Sequence, residues 1–194
     1  MKDWKDITLK KFYQIQDLLE EPDEYTTFNL LDLIYDIDSA NMTIQEIAKY
    51  NNALDFINKE VPVVNLKDKY EINGTIYNSN YNLSMVTAAQ FVDYQNYIKD
   101  NKWEDFLSVF FIPEGHKYND GYDLNKVKED LLQLDFPTVK SIGFFFTLQC
   151  EAFLHHFLLS LKTTVKKMNI SKEKKKEIID QINKADLVSL ASFL

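Results

Sequence analysis

No arginine occurs anywhere in the 194 residues, and all 22 basic side chains other than His are Lys. That removes the planar guanidinium fork that grips phosphate or guanine through two bonds at once, and a net charge of −8 repels a polyanion. Specific nucleic-acid binding by the body of the chain is not expected. Cysteine is nearly absent as well. Cys150 stands alone, so it has no internal disulfide partner, and its place in an apolar helix-like run reads as a buried, inert thiol in a reducing compartment. Only four Gly and four Pro are present, too few for a many-turned β-sandwich or barrel, and helices are favoured. Gly74, Gly115, Gly121 and Gly143 match neither G-x-G-x-x-G nor G-x-x-x-x-G-K, so no phosphate-cradling loop is expected. The first twenty residues carry no long apolar core and no small-residue cleavage site. No signal peptide is therefore expected, and the sequons at Asn41, Asn73, Asn82 and Asn169 are expected to stay unmodified.

What the chain does have is apolar and aromatic mass with an uneven charge. Hydrophobic residues make up 45% and aromatics 14%, ample for one ordinary core. From Lys162 onward eight Lys meet four acids, whereas before it fourteen Lys meet twenty-six acids. The basic end, densest at Lys174, Lys175 and Lys176, reads as a solvated helix face balancing an acidic body, or as an element that docks on an acidic neighbour or on nucleic acid.

Thr8 as an N-cap predicts a helix over 8–21, broken at Pro22, and a second follows over 25–36. Thr43 and Glu46 form a Thr-x-x-Glu capping box that opens a third helix toward Tyr50, and a short helix over 53–59 stops before Pro62. The texture then changes. Residues 70–77 read YEINGTIY, with Asn73-Gly74 between alternating β-formers, the strongest short-range hairpin signal. A lone hairpin is marginal in water, so a further strand is expected from 61–66 or from a second subunit, and the open edge is a candidate contact surface. Helices are expected again over 84–100, 103–111, 124–134 with Asp123 as N-cap, 139–168, and from Ser171 to about Lys184. The expected architecture is mainly α (α+β): one compact helical domain over 1–168 with the hairpin inserted at 61–83, a long apolar helix over 139–168, and a Lys-rich C-terminal helix over 169–194.

The stretch 141–161 has the length of a membrane span, flanked by Lys140 and Lys162. Gln149, Glu151, His155 and His156 lie inside it, however, and one acid at the bilayer centre costs roughly 2.5–3.5 kcal/mol. Lys140, Thr147, Glu151, His155 and Lys162 fall along one narrow helical stripe, which predicts a central helix with one wet seam, buried or facing a second copy in a homo-oligomer. The loop 114–123 collects acids, a His and two Gly. Setting Gly121 at the invariant turn of an EF-hand loop puts His116, Tyr118 and Val127 where carboxylates or amides are required, so the metal reading fails and Asn119-Asp120-Gly121 is a turn. Glu151 and His155 share a helical turn without a third ligand at useful spacing, and Cys150 beside a His on an apolar helix makes a poor nucleophile-base pair. No catalytic, cofactor-binding or metal-binding residue is assigned.

Several segments together carry a resemblance: WKDITLKKF at 4–12, the hairpin YEINGTIY, NLSMVTAAQFVDYQNYI at 82–98, FFIPEGHKYNDGYDLNKV at 110–127, and the aromatic helix around Phe144, Phe145 and Phe146. Over about 4–166 the chain resembles small tail-morphogenesis proteins of bacteriophages and prophages of gut anaerobes, crAss-like phages included, described as tail assembly or tape-measure chaperones. The Lys-rich end departs from that pattern. The resemblance implies a non-enzymatic factor in the host cytoplasm during assembly, or a virion component, whose partners are other phage proteins: the tape measure, tail or portal components. A chaperone for a long helical tape measure must cover apolar stripes reversibly, and Met, Phe and Tyr surfaces do so. Phe110, Phe111, Tyr118 and Tyr122, with part of the helix over 144–157, are the expected contact surface; the alternative is that they fill the core. Two other readings stay open. One is a virion structural or packaged cargo protein near portal and tail, docked through Lys174, Lys175 and Lys176. The other is a small-molecule-binding regulator or enzyme with a helical core, which a polar cavity reaching Glu151, His155 or His156 would favour.

Overall fold

The computed structural model describes residues 2–50, 52–81, 85–97 and 102–191. Thr8 Oγ1 accepts the Lys11 N–H at 3.3 Å and opens α1 (Leu9–Glu20). After α2 (Thr26–Tyr35) the chain turns through Asp36 in the left-handed region, φ 55°, whose carboxylate takes the Lys2 and Lys11 ammonium groups at 3.2 and 2.9 Å. The Thr43–Glu46 capping box forms, yet the helix it starts, α3 (Ile44–Ile47), tightens at once into a 3₁₀ turn, and 53–59 yields another such turn at Asp55–Asn58. Trp4 anchors this irregular layer. Its indole meets the Phe56 ring edge-on at 5.4 Å, donates to the Lys59 carbonyl at 3.0 Å, and lies 5.8 Å from Phe136, which stacks on Phe12.

Asn73 and Gly74 both adopt positive φ, 49° and 76°, as a two-residue type I′ loop requires. They join β1 (Lys69–Ile72) to β2 (Thr75–Ser79) in the expected register, Ile72 opposite Thr75. The added strand comes from elsewhere than expected: β3 (Phe111–Pro113) pairs antiparallel with β2, Phe111 opposite Ser79, giving the order β1-β2-β3. Residues 61–66 form no strand, because Pro62 lacks an N–H and the Val64 N–H is taken by Ser141 Oγ at 2.9 Å. The helix expected over 103–111 stops early as α5 (Trp103–Ser108), since Phe111 and Ile112 are β-formers that ladder with β2. Pro113 sits at the end of an edge strand, where its missing N–H is tolerated. Within α4 (Ala88–Tyr97) the buried Gln90 amide donates to the Val109 carbonyl at 2.9 Å; positions 84 and 98–100 of the helix expected there lie outside the described residues.

Asp123 accepts the N–H groups of Asn125 and Lys126 and starts α6 (Leu124–Leu131). Near its end Asp130, 4% exposed, receives the Asn73 amide at 2.8 Å, the Tyr77 hydroxyl at 2.5 Å and the Lys126 ammonium at 2.6 Å, fastening the hairpin to this helix. Asp135 then accepts the N–H and hydroxyl of Thr138, both at 2.9 Å, at the head of α7 (Phe136–Lys167). Backbone bonds from Leu9 N–H to the Leu134 carbonyl and from Phe136 N–H to the Ile7 carbonyl tie that head to the start of α1. α7 is not the apolar helix expected over 139–168. Phe144, Leu148 and Leu159 are exposed and Ser160, Thr163, Thr164, Lys166 and Lys167 follow on open positions. No helix among the described residues is long and apolar enough to cross a membrane.

The chain divides into two compact units, Met1–Ile142 and Gly143–Leu194. The first turns of α7 belong to the first unit because Phe136, Val139, Ser141 and Ile142 are all buried there, and because the strap from Val64 holds Ser141. In the second unit Leu158 and Val165 are buried, and α8 (Lys172–Ala191) starts where Ser171 Oγ accepts the Lys174 N–H at 3.3 Å.

Candidate functional site

The expected aromatic contact surface does not assemble. Phe110 and Phe111 are 0% exposed. Phe110 packs in an aromatic cluster with Phe106 and Tyr94, centroids 5.5 and 5.8 Å away, and Phe111 meets Tyr70 at 5.3 Å. Both are core residues, buried because β3 runs back beside β2. Tyr118 is half-buried and donates its hydroxyl to Asp93 at 2.6 Å; burial, then that carboxylate, push its pKa up. Tyr122 is also half-buried, its ring 5.8 Å from His116. Burial raises the pKa of its hydroxyl against a smaller opposing pull from a hydrogen bond with the Asn119 backbone. Both tyrosines pin the 114–123 loop, whose turns use positive φ at Gly115, Asn119 and Gly121. Of the three lysines, Lys174 and Lys176 are exposed, whereas Lys175 reaches the Lys166 carbonyl at 2.9 Å and serves the second unit's own structure.

A different apolar surface is open. Along α7, Phe144, Leu148 and Leu159 are 55, 48 and 46% exposed, and Ala152 and His156 between them are exposed too. Successive spacings of four, four, four and three keep these five positions on one helical face. Thr147, Glu151 and His155, three of the five residues of the expected wet seam, have side chains outside the described residues, as does Cys150; Lys140 and Lys162 are half-buried. The helical spacing was legible in the sequence, but a stripe at that period reads equally as core.

The first unit also contains a cleft of about 600 Å³. One wall is the whole of β1, Lys69 to Ile72; the others are the segment from Val64 to Lys67 and the residues Gln133 to Asp135 with Thr138, and Lys5 closes one side. Its chemistry is mixed. Lys5, Lys67 and Lys69 share the lining with Glu71 and Asp135, and Lys69 is bonded to Glu114 at 2.5 Å across two exposed side chains. The hairpin signal announced an edge strand, but nothing local in the sequence pointed to the opposite wall.

Among the described residues no three His, Cys, Asp or Glu side chains gather to hold a metal ion. The strongest electrostatic contacts are structural: Tyr13 donates to Glu104 at 2.7 Å and accepts the Trp103 N–H at 2.8 Å, joining α1 to α5, and burial with that carboxylate raises the phenol's pKa. No protein-family model, no curated protein and no solved structure matches the chain.

Proposed function

We propose that the chain is a non-enzymatic bacteriophage morphogenesis protein, a tail-assembly or tape-measure chaperone that acts through protein contacts. The exposed stripe of α7 supports this reading most directly. Phe144, Leu148 and Leu159 lie on one face with the three-and-four spacing that receives another amphipathic helix, the form a tape measure would present. The sequence resemblance over 4–166 supplies the phage setting. Magnitude favours a transient role. Three half-covered side chains would contribute roughly 1 kcal/mol each on full burial. A total of about 3 kcal/mol falls short of the roughly 4 kcal/mol of even a millimolar complex, so a partner held by the stripe is readily released and retention needs several copies or further contacts.

Phe144→Glu with Leu148→Glu is expected to leave the chain folded and to abolish recovery of the tape-measure protein with it from infected-cell lysate. Undiminished recovery by the folded variant would sink the reading. The exposure of Lys174 and Lys176 favours, as a second reading, a virion or cargo protein docked by its basic end. Quantitative mass spectrometry of purified virions against lysate separates the two: a fixed copy number in particles means a virion component, and presence in lysate alone means a chaperone.

A further inference from the structure

We propose that Asn73 is a site of spontaneous, one-way deamidation, and that the carboxylate so formed releases the hairpin from α6. Asn73-Gly74 is the only Asn-Gly pair in the chain. Both residues are exposed, and the register that sets Ile72 opposite Thr75 leaves them outside the ladder at the tip of the loop. Glycine carries no Cβ, so its nitrogen can approach the side-chain carbonyl of the preceding residue with little hindrance. A Cβ at Gly74 would meet nothing within 4 Å, so no other segment screens that side of the turn. The reaction is unrelated to glycosylation at the Asn73 sequon. Water takes the Gly74 amide proton, the nitrogen attacks Asn73 Cγ, and the side-chain nitrogen leaves as ammonia, closing a cyclic imide. Water then adds to one of the two imide carbonyls and that C–N bond breaks. Opening at Cγ gives Asp; opening at the main-chain carbonyl gives isoaspartate, whose backbone is longer by one methylene. Overall one water is consumed and one ammonia released.

The fold decides what the reaction does. The Asn73 amide donates to Asp130 at 2.8 Å, and Asp130 is 4% exposed. Ring closure requires the side chain to turn back onto its own main chain, which it cannot do while it reaches across to α6. The reaction therefore proceeds from a locally opened loop, at a rate set by how often that loop opens. Afterwards the donor has become an acceptor with a charge. In the Asp product a second carboxylate stands beside Asp130, where the Lys126 ammonium, bonded to Asp130 at 2.6 Å, is the one cation in contact among the described residues. Like charges in a part-buried place resist reclosure. The isoaspartyl product has one methylene too many for the two-residue loop that fixes the strand register. Neither product is reversed by refolding, so each opened hairpin stays released. All of these groups lie in the first unit, and the inference does not depend on the α7 stripe.

The test follows the full chain in mildly alkaline buffer by peptide mapping with mass spectrometry, reading the mass gain that marks replacement of the Asn73 amide NH2 by OH. Folded wild type is expected to convert at Asn73 about tenfold more slowly than wild type in denaturing urea. In the same urea Gly74→Ala is expected to slow the reaction about tenfold by crowding the attacking nitrogen. The release is read separately, by hydrogen exchange of the β1 and β2 amides in Asn73→Asp and Asn73→Gly. A Gly-Gly pair keeps the turn and removes the donor without adding charge. Exchange is expected to be about tenfold faster in Asn73→Asp than in Asn73→Gly, with the α1 and α2 amides unchanged in both. No conversion in the folded chain once the urea sample is complete would remove the site, and equal rates folded and in urea would remove the restraint by Asp130. Equal exchange in the two variants would remove charge repulsion as the cause of release. Each of these overturns the inference, and loss of tape-measure recovery by the stripe variants bears only on the α7 reading.

Discussion

Asp130 is the side chain on which most of the hairpin's attachment rests. Burial raises its pKa, but the donors Lys126, Tyr77 and Asn73 outweigh that and hold the carboxyl below the usual carboxylate range. The sign follows from linkage: a carboxyl with a depressed pKa in the folded state contributes stability above its unfolded pKa of about 3.9 and loses it as pH falls through the folded value. Asp130→Ala leaves the Tyr77 hydroxyl and the Asn73 amide without their acceptor and should cost about 2–3 kcal/mol at pH 7. The check is the urea midpoint of wild type against variant at pH 7 and at pH 3: the gap is expected to narrow at the lower pH, and a gap independent of pH would mean that the carboxylate charge plays no part. The Asp36 pair with Lys2 and Lys11 is solvent-exposed and is expected to matter little by comparison.

At the scale of elements, local chemistry made much of the chain legible. Thr8, Thr43, Asp123 and Ser171 each cap the helix expected of them, and Asn73-Gly74 makes the expected turn. Each signal acts over four residues or fewer, which is why it survives without knowledge of the fold. Helix ends were less legible. α5 stops three residues short because Phe111 finds a strand partner thirty-two positions away, and the 53–59 segment tightens to a 3₁₀ turn around Phe56, which packs on Trp4. The hairpin offers a clean test. A Cβ on Gly74 would meet no atom within 4 Å, so Gly74→Ala is strained only by its φ of 76°. The expected loss is about 1 kcal/mol by chemical denaturation. A much larger loss would mean that the loop is packed more tightly than the geometry indicates.

For the whole molecule, the same residue type plays opposite parts at Phe110 and Phe144, one fully buried and the other 55% exposed. Phe110→Ala is expected to cost about 3–5 kcal/mol through the cavity it leaves in the Tyr94–Phe106 cluster, whereas Phe144→Ala should stay within about 0.5 kcal/mol as a surface change. Paired denaturation curves check this, and similar losses at the two sites would contradict the open face of α7. The charge asymmetry read from composition remains a property of the chain: the Lys-rich segment lies wholly in the unit Gly143–Leu194 and the acidic excess mainly in Met1–Ile142.

Helix starts, the hairpin turn and the mainly helical content could be read from the residues alone, because caps, a left-handed Asn-Gly pair and helical periodicity are set by neighbours within a turn or two. Tertiary structure alone decided that Phe111 and not Val64 supplies the third strand, that Phe110 is core, that β1 lines a cleft, and that the Phe144–Leu148–Leu159 face of α7 stays open. Periodicity places apolar residues on one face of an element. Whether that face is covered depends on which distant segment arrives, and that is settled by the competition of all such faces for burial.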